Sequence, residues 1–118
     1  MGVDKKSISR ALIVKKEYLD LILEHGKVWE MRTSKTKLRG RVGLIEAGSG
    51  LIVGEITIVD SLDKMTWLNL ALNYHRHKVH TSLLLEKWEY PWVLEDPHRY
   101  EVPKPYTHPP GAVIWVRL

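Results

Sequence analysis

The chain predicts an α+β fold: a small β-barrel of about five to six strands carrying two or three short helices at its ends. Three observations point there. Residues 41–46 and 51–59 are rich in Val, Ile, Leu and Thr and are joined by Ala47-Gly48-Ser49-Gly50, the pattern of a hairpin with a four-residue turn. Residues 17–24 form a short amphipathic stretch that runs directly into the β-branched and aromatic segment 27–32. Gly54, inside an otherwise continuous strand, marks a bulge or a corner where a sheet bends.

Taken in order, residues 8–14 predict a first strand, with Ala11, Leu12, Ile13 and Val14 buried. The helix over 17–24 places Tyr18, Leu19, Ile22 and Leu23 on one apolar side, and Gly26 suits the left-handed position that closes such a helix. The strand over 27–32 follows, then the hairpin. Asp63 is positioned to cap a helix from Met65 to about Tyr74, with Met65, Leu68, Ala71 and Leu72 on one face. Residues 75–110 carry Pro91, Pro97, Pro103, Pro105, Pro109 and Pro110 and read as a long, ordered but irregular excursion. Residues 112–118 predict the last strand. Residues 1–118 contain no internal repeat and read as one domain, a size that supports a single core.

Composition narrows the classes. Hydrophobic residues make up 44% and charged residues 27%, which argues against disorder. The absence of cysteine excludes a disulfide framework and a thiolate metal site. No apolar run approaches the roughly 20 residues of a membrane span, and the polar first ten residues carry no signal-peptide core, so a cytoplasmic protein with no membrane partner is expected.

Charge is unevenly spread. Residues 1–41 hold 11 basic and 5 acidic residues, while residues 42–118 hold 7 basic and 9 acidic ones. Lys35, Lys37, Arg39 and Arg41 occupy every second position; in an extended segment they would form one stripe able to follow phosphates, and the competing reading is a solvated loop. The stripe follows the most informative run, His25-Gly26-Lys27-Val28-Trp29-Glu30-Met31-Arg32. In a strand Glu30 and Arg32 share a face, and Lys27, in the preceding turn, can lean over it. A lysine and a carboxylate so placed can exchange protons, and the two cations can hold an oxyanion or phosphate. The competing reading is a Glu30–Arg32 strand salt bridge beside a surface lysine. Lys27 and Glu30 are therefore the catalytic candidates. Arg32, Lys35, Lys37, Arg39 and Arg41 are the substrate-binding ones.

Other clusters leave alternatives open. In Trp88-Glu89-Tyr90-Pro91-Trp92 the aromatics either pack a loop over the core or, through Tyr90 and Trp92, offer a wall on which a base stacks. His75, His77 and His80 have a spacing that metal sites use, but cations interleave them and no carboxylate accompanies them, so no metal and no cofactor is expected. Residues 95–100 read as a turn.

The Lys-x-x-Glu-x-Arg spacing of Lys27, Glu30 and Arg32, after Gly26, resembles the G-x-K-x-x-E-x-R signature of ASCH domains, with one spacer between glycine and lysine missing. The order of elements around it, from the leading strand to the closing Gly111-Ala112-Val113-Ile114-Trp115-Val116, is similar as well. The resemblance implies a PUA-like barrel and RNA, or a modified nucleoside or nucleotide, as partner. Some branches of that family hydrolyse N4-acetylcytidine or cut RNA. In the small acetylcytidine-hydrolysing branch a threonine stands three residues after the motif lysine, where this chain has Glu30. The resemblance thus leaves a hydrolase and a non-catalytic RNA-binding module as the two expectations.

Overall fold

Six strands hydrogen-bonded in one sheet organise the chain in the computed structural model, which describes residues 8–80 and 86–118. The elements are β1 (Arg10–Val14), α1 (Lys16–Glu24), β2 (Trp29–Arg32), β3 (Gly40–Glu46), β4 (Leu51–Ser61), α2 (Trp67–Leu72), α3 (Tyr74–His77), β5 (Tyr90–Pro105) and β6 (Trp115–Arg117). The sheet order is β2-β5-β4-β3-β1-β6. Only β1 and β3 pair in parallel, because α1 and β2 lie between them in the chain; the other pairs are antiparallel. The sheet curls into a half-barrel, the expected α+β class. Two contacts reach across the curl: Trp92 of β5 stacks on Trp115 of β6 at 5.9 Å between ring centroids, and Arg32 Nη2 of β2 donates to the Ile13 carbonyl of β1 at 3.0 Å.

The main core lies inside the curl, where Leu19 and Ile22 of α1 meet Leu12, Val14, Leu44, Ile56, Ile58 and Leu94. A second cluster joins Trp29 and Met31 of β2 to Leu70 and Val79, seating the α2–α3 region against one edge. This second core positions the site.

Three expectations are corrected. The largest concerns residues 75–110, of which 81–85 lie outside the described residues. The excursion contains β5, at 16 residues the longest strand, paired with both β2 and β4. Its prolines misled because a proline cannot donate to a ladder. Here Pro91 stands second in the strand and Pro105 last, while Pro97 and Pro103 lie where the β4–β5 register shifts. Opposite Gly54–Ile52 three extra residues loop out of β5, and opposite Glu55–Thr57 one does, with Asp96 at φ +54°. The turn expected over 95–100 is this bulge.

The second correction is the helix cap. Thr66 caps α2 by accepting from the Asn69 N–H at 3.2 Å, and Asp63 pairs instead with Lys35. The helix is short, and its buried residue is Leu70; Leu68 and Leu72, expected on the core face, are exposed. Third, the last strand is three residues long rather than seven.

Gly54 sits where β5 crosses closest. A Cβ there would stand 2.5 Å from the His98 carbonyl oxygen and 3.1 Å from Leu23 Cδ2, so backbone would have to move. Gly54→Ala is expected to destabilise the protein by about 1–3 kcal/mol, the scale of overpacking. Urea unfolding checks it: the midpoint should fall with the slope unchanged, and an unshifted midpoint would mean that the sheet accommodates the methyl.

Candidate functional site

The site begins with the way α1 ends. Gly26 takes φ +77°, and the Lys27 N–H then bonds back to the Leu21 carbonyl at 3.0 Å, closing the helix with a seven-residue turn. The Val28 N–H donates to the Arg76 carbonyl, tying the same loop to α3. The turn therefore directs the Lys27 side chain inward, under α3. Lys27 is 2% exposed, not the solvent-facing lysine of a surface turn. Its ammonium donates to the His77 carbonyl, lies 5.2 Å from the Tyr18 ring centroid and stands 3.9 Å from Glu30 Oε1.

Glu30 is 6% exposed and uses its other oxygen, Oε2, to accept from Arg32 Nε at 2.9 Å, with Arg32 Nη2 in ion-pair contact at 2.8 Å. The Arg32 guanidinium, held by Glu30 and the Ile13 carbonyl, lies 5.5 Å over the Trp92 ring. The result is a row, lysine–carboxylate–arginine, with the carboxylate in the middle and one oxygen toward each cation. All three line a cavity of about 240 Å³. Its walls are apolar and aromatic: Tyr18, Trp88, Val79 and Met31 on the helix side, Ile13 and Val113 on the other. Lys15 stands at the rim with its ammonium 5.8 Å from the Trp88 ring.

His77 supports the lysine from behind. Its buried ring accepts the Val79 N–H at Nδ1 (2.9 Å), which leaves the proton on Nε2 to donate to the Leu70 carbonyl at 2.6 Å. Burial lowers its pKa, so it stays neutral and its main-chain carbonyl keeps its place. His80 packs against Tyr74 instead, and among the described residues no three His, Asp or Glu side chains gather as a metal-ligand set.

The remaining sequence candidates lie elsewhere. Lys35, Arg39 and Arg41 do not share one stripe: residues 33–39 are loop, and each of the three meets an acid, Asp63 at 2.8 Å, Asp60 at 3.6 Å and Glu55 at 2.9 Å respectively. Lys37 is exposed in the same loop. None of the four lines the cavity, and neither do Tyr90 and Trp92. Trp92 is a buried strut, stacked on Trp115 and donating its indole N–H to the Ser34 carbonyl at 2.9 Å. The aromatic that does reach the cavity is Trp88, edge-on to Tyr18 at 6.1 Å. The sequence places Trp88 in the aromatic cluster but points to Tyr90 and Trp92 within it, and it puts Tyr18 only on an apolar helix side; the signal for Tyr18 is its place on the same helix that delivers Lys27.

Burial lowers the Lys27 ammonium to about 8, against the opposing pull of Glu30, with Arg32 and Lys78 lowering it further. The sign of the linkage follows. In the unfolded chain the lysine titrates near 10.5, so between pH 8 and 10.5 the unfolded state binds more protons and stability rises with pH. Wild type minus Lys27→Met, compared by urea midpoints from pH 7 to 10.5, should show that rise for wild type only. Parallel pH profiles would show that Lys27 titrates as an exposed lysine does.

The ASCH domain family model matches residues 12–104. The chain is similar to the crystal structure of ASCH from Zymomonas mobilis, with TM-score 0.69 and 13% identity over 92% of this chain and 86% of that one. It is likewise similar to a Ser→Ala mutant of that protein (TM-score 0.68, 13% identity, 92% and 87% covered) and to a Tyr→Phe mutant (0.67, 13%, 92% and 88%). At that identity the structures speak for the fold. A search of curated proteins finds no match. No helix among the described residues is long and apolar enough to cross a membrane. With the signature residues Lys27, Glu30 and Arg32 at one cavity and the family model spanning most of its length, the chain belongs to the ASCH domain family.

Proposed function

We propose that this ASCH domain takes one nucleotide, free or within single-stranded RNA, into the cavity. The observation that carries the reading is the row of Lys27, Glu30 and Arg32 lining an enclosure walled by Tyr18 and Trp88. Flat aromatic walls suit a base, and a polar row suits its hydrogen-bonding edge. The cavity falls just below the roughly 300–1,000 Å³ of small-molecule sites, room for one base rather than a stack of two. Lys15 would meet the phosphate at the rim. This is the class of ligand that the family resemblance implies.

One observation favours a second reading, hydrolysis at the bound nucleotide. An amine lowered to about 8 beside a carboxylate is poised to take a proton near neutral pH. With Glu30 in place of a nucleophilic threonine, water is the attacking group. Neutral Lys27 takes its proton, Arg32 faces the oxyanion that forms, and the proton returns to the leaving amine or alcohol.

Incubation with N4-acetylcytidine and with short RNAs tests both readings. If the protein is a hydrolase, Lys27→Met and Glu30→Gln each lower turnover about 10²-fold or more, and wild-type activity rises with pH to a plateau above about 8. A wild type that binds RNA without turning it over is a binding module, and one that does neither overturns the proposal.

Salt dependence reads the phosphate contacts. Because Lys35, Arg39 and Arg41 already face carboxylates, Lys15 and Lys37, which pair with no carboxylate among the described residues, are expected to carry counterion release near the cavity. Lys15→Ala and Lys37→Ala should each reduce the log–log salt slope of single-stranded RNA binding by about 0.7. If the triple change Lys35→Ala, Arg39→Ala, Arg41→Ala flattens the slope instead, the loop is the phosphate track.

A further inference from the structure

The cavity row has an order, and the order selects a base. Lys27 is a donor, Glu30 an acceptor and Arg32 a donor, with the carboxylate between the two cations. Each member keeps capacity for a ligand. Among the described residues the Lys27 ammonium, with three N–H groups, donates to one acceptor, the His77 carbonyl, and only approaches Glu30 Oε1 at 3.9 Å. Oε1 itself accepts no hydrogen bond from a described residue, since the Arg32 Nε bond and the close Nη2 contact both fall on Oε2. Arg32 uses Nε and Nη2, and its Nη1 donates to none of the described residues.

We propose that the cavity is selective for a uracil-type base, one that presents acceptor, donor and acceptor along its Watson–Crick edge. Uracil offers O4, N3–H and O2 in that order, so a carbonyl meets each cation and the imide N–H meets the carboxylate. The other three bases meet a mismatch. Cytosine sets its N3 lone pair against Glu30 and its exocyclic amino group against a cation. Adenine likewise presents an amino donor and a ring lone pair. Guanine keeps its carbonyl and N1–H but turns its 2-amino group on the second cation. In a site with buried Lys27 and Glu30, a lone pair facing a carboxylate and a donor facing a cation are repulsive contacts that exclude the wrong base as much as the matched ones hold the right one. Stacking on one of the two rings of Trp88 and Tyr18, which stand edge to face, adds affinity without choosing among bases, because every base has a π-face. Selection therefore falls on the polar row.

The inference rests on the nucleotide-binding reading, and calorimetric titration separates the two. Wild-type protein at pH 7.5 is titrated with uridine, cytidine, adenosine and guanosine 5′-monophosphates and with N3-methyluridine 5′-monophosphate. The uridine nucleotide should bind about tenfold or more tighter than each of the other natural three, the scale of one well-matched polar pair. The N3-methyl compound removes the imide donor with no change to the protein, and it should lose at least as much. Glu30→Gln, whose amide can donate or accept, should narrow the gap between uridine and cytidine nucleotides. Equal binding of uridine and cytidine nucleotides, or of uridine and its N3-methyl derivative, overturns base selection and leaves nucleotide binding standing. Binding of none of the five overturns both.

Discussion

The burial of one ammonium group, that of Lys27, is the constraint on which the site depends. Removing an amine from water is costly, and what offsets the cost here comes from three separate parts of the chain. The His77 carbonyl closes from α3, Glu30 from β2, and the Tyr18 ring from α1. Each must be in place for the others to count. α3 is held by the Val28–Arg76 bond and by the packing of Trp29 and Met31 on Leu70 and Val79. His77, neutral because both ring nitrogens are committed to backbone groups, keeps its carbonyl fixed without adding a second charge. The lysine that makes the site chemically interesting is also the pin that locks the helical flank to the sheet edge.

The curl of the sheet supplies the other half of the enclosure. A flat six-stranded sheet would leave Arg32 on an outer edge, far from β1. Register shifts concentrate strand bending along β4 and β5, and Gly54 lets the β5 backbone approach where any side chain would collide. The curl brings the Ile13 carbonyl within reach of Arg32, and the Trp92–Trp115 stack fills the interior behind it. Arg32 thus reads as both a strut across the half-barrel and a cavity group. Its guanidinium is fixed on three sides, by Glu30, Ile13 and Trp92, so its remaining edge is presented in a set direction.

How much of this was legible in the sequence follows from which signals are local. The α1 helix, its glycine stop, the hairpin of β3 and β4 and the special position of Gly54 are written in adjacent residues, and they emerge with ends shifted by one or two positions at most. The three motif residues were legible as a group because the turn-then-strand geometry needs only six positions. The fate of Lys27 was not. A lysine after a glycine reads as exposed, and its burial is decided by α3, some 50 residues later. β5 was hidden by its own prolines, whose tolerance depends on bulges set by the partner strand β4. The cation run 35–41 looked like a stripe because the acids that meet it, Glu55, Asp60 and Asp63, come from β4 and the loop beyond it. Trp88 and Trp92 are indistinguishable by sequence: one lines the cavity and the other sits behind Arg32.

These placements change what the basic character of the chain means. A net charge of +4 suggests a surface that gathers polyanions without discrimination. Yet the cations of the 35–41 loop are largely met by carboxylates, whereas Lys27 and Arg32 share a single carboxylate inside an enclosure. Attraction along that loop is therefore weak and screened, while the interior row carries one excess positive charge in a setting where polar contacts are stronger and mismatches cost more. A domain built this way gains little from a long phosphate track. On the proposed reading, discrimination resides in the group that enters the cavity, and the order of three side chains along β2 and its preceding turn sets what that group can be.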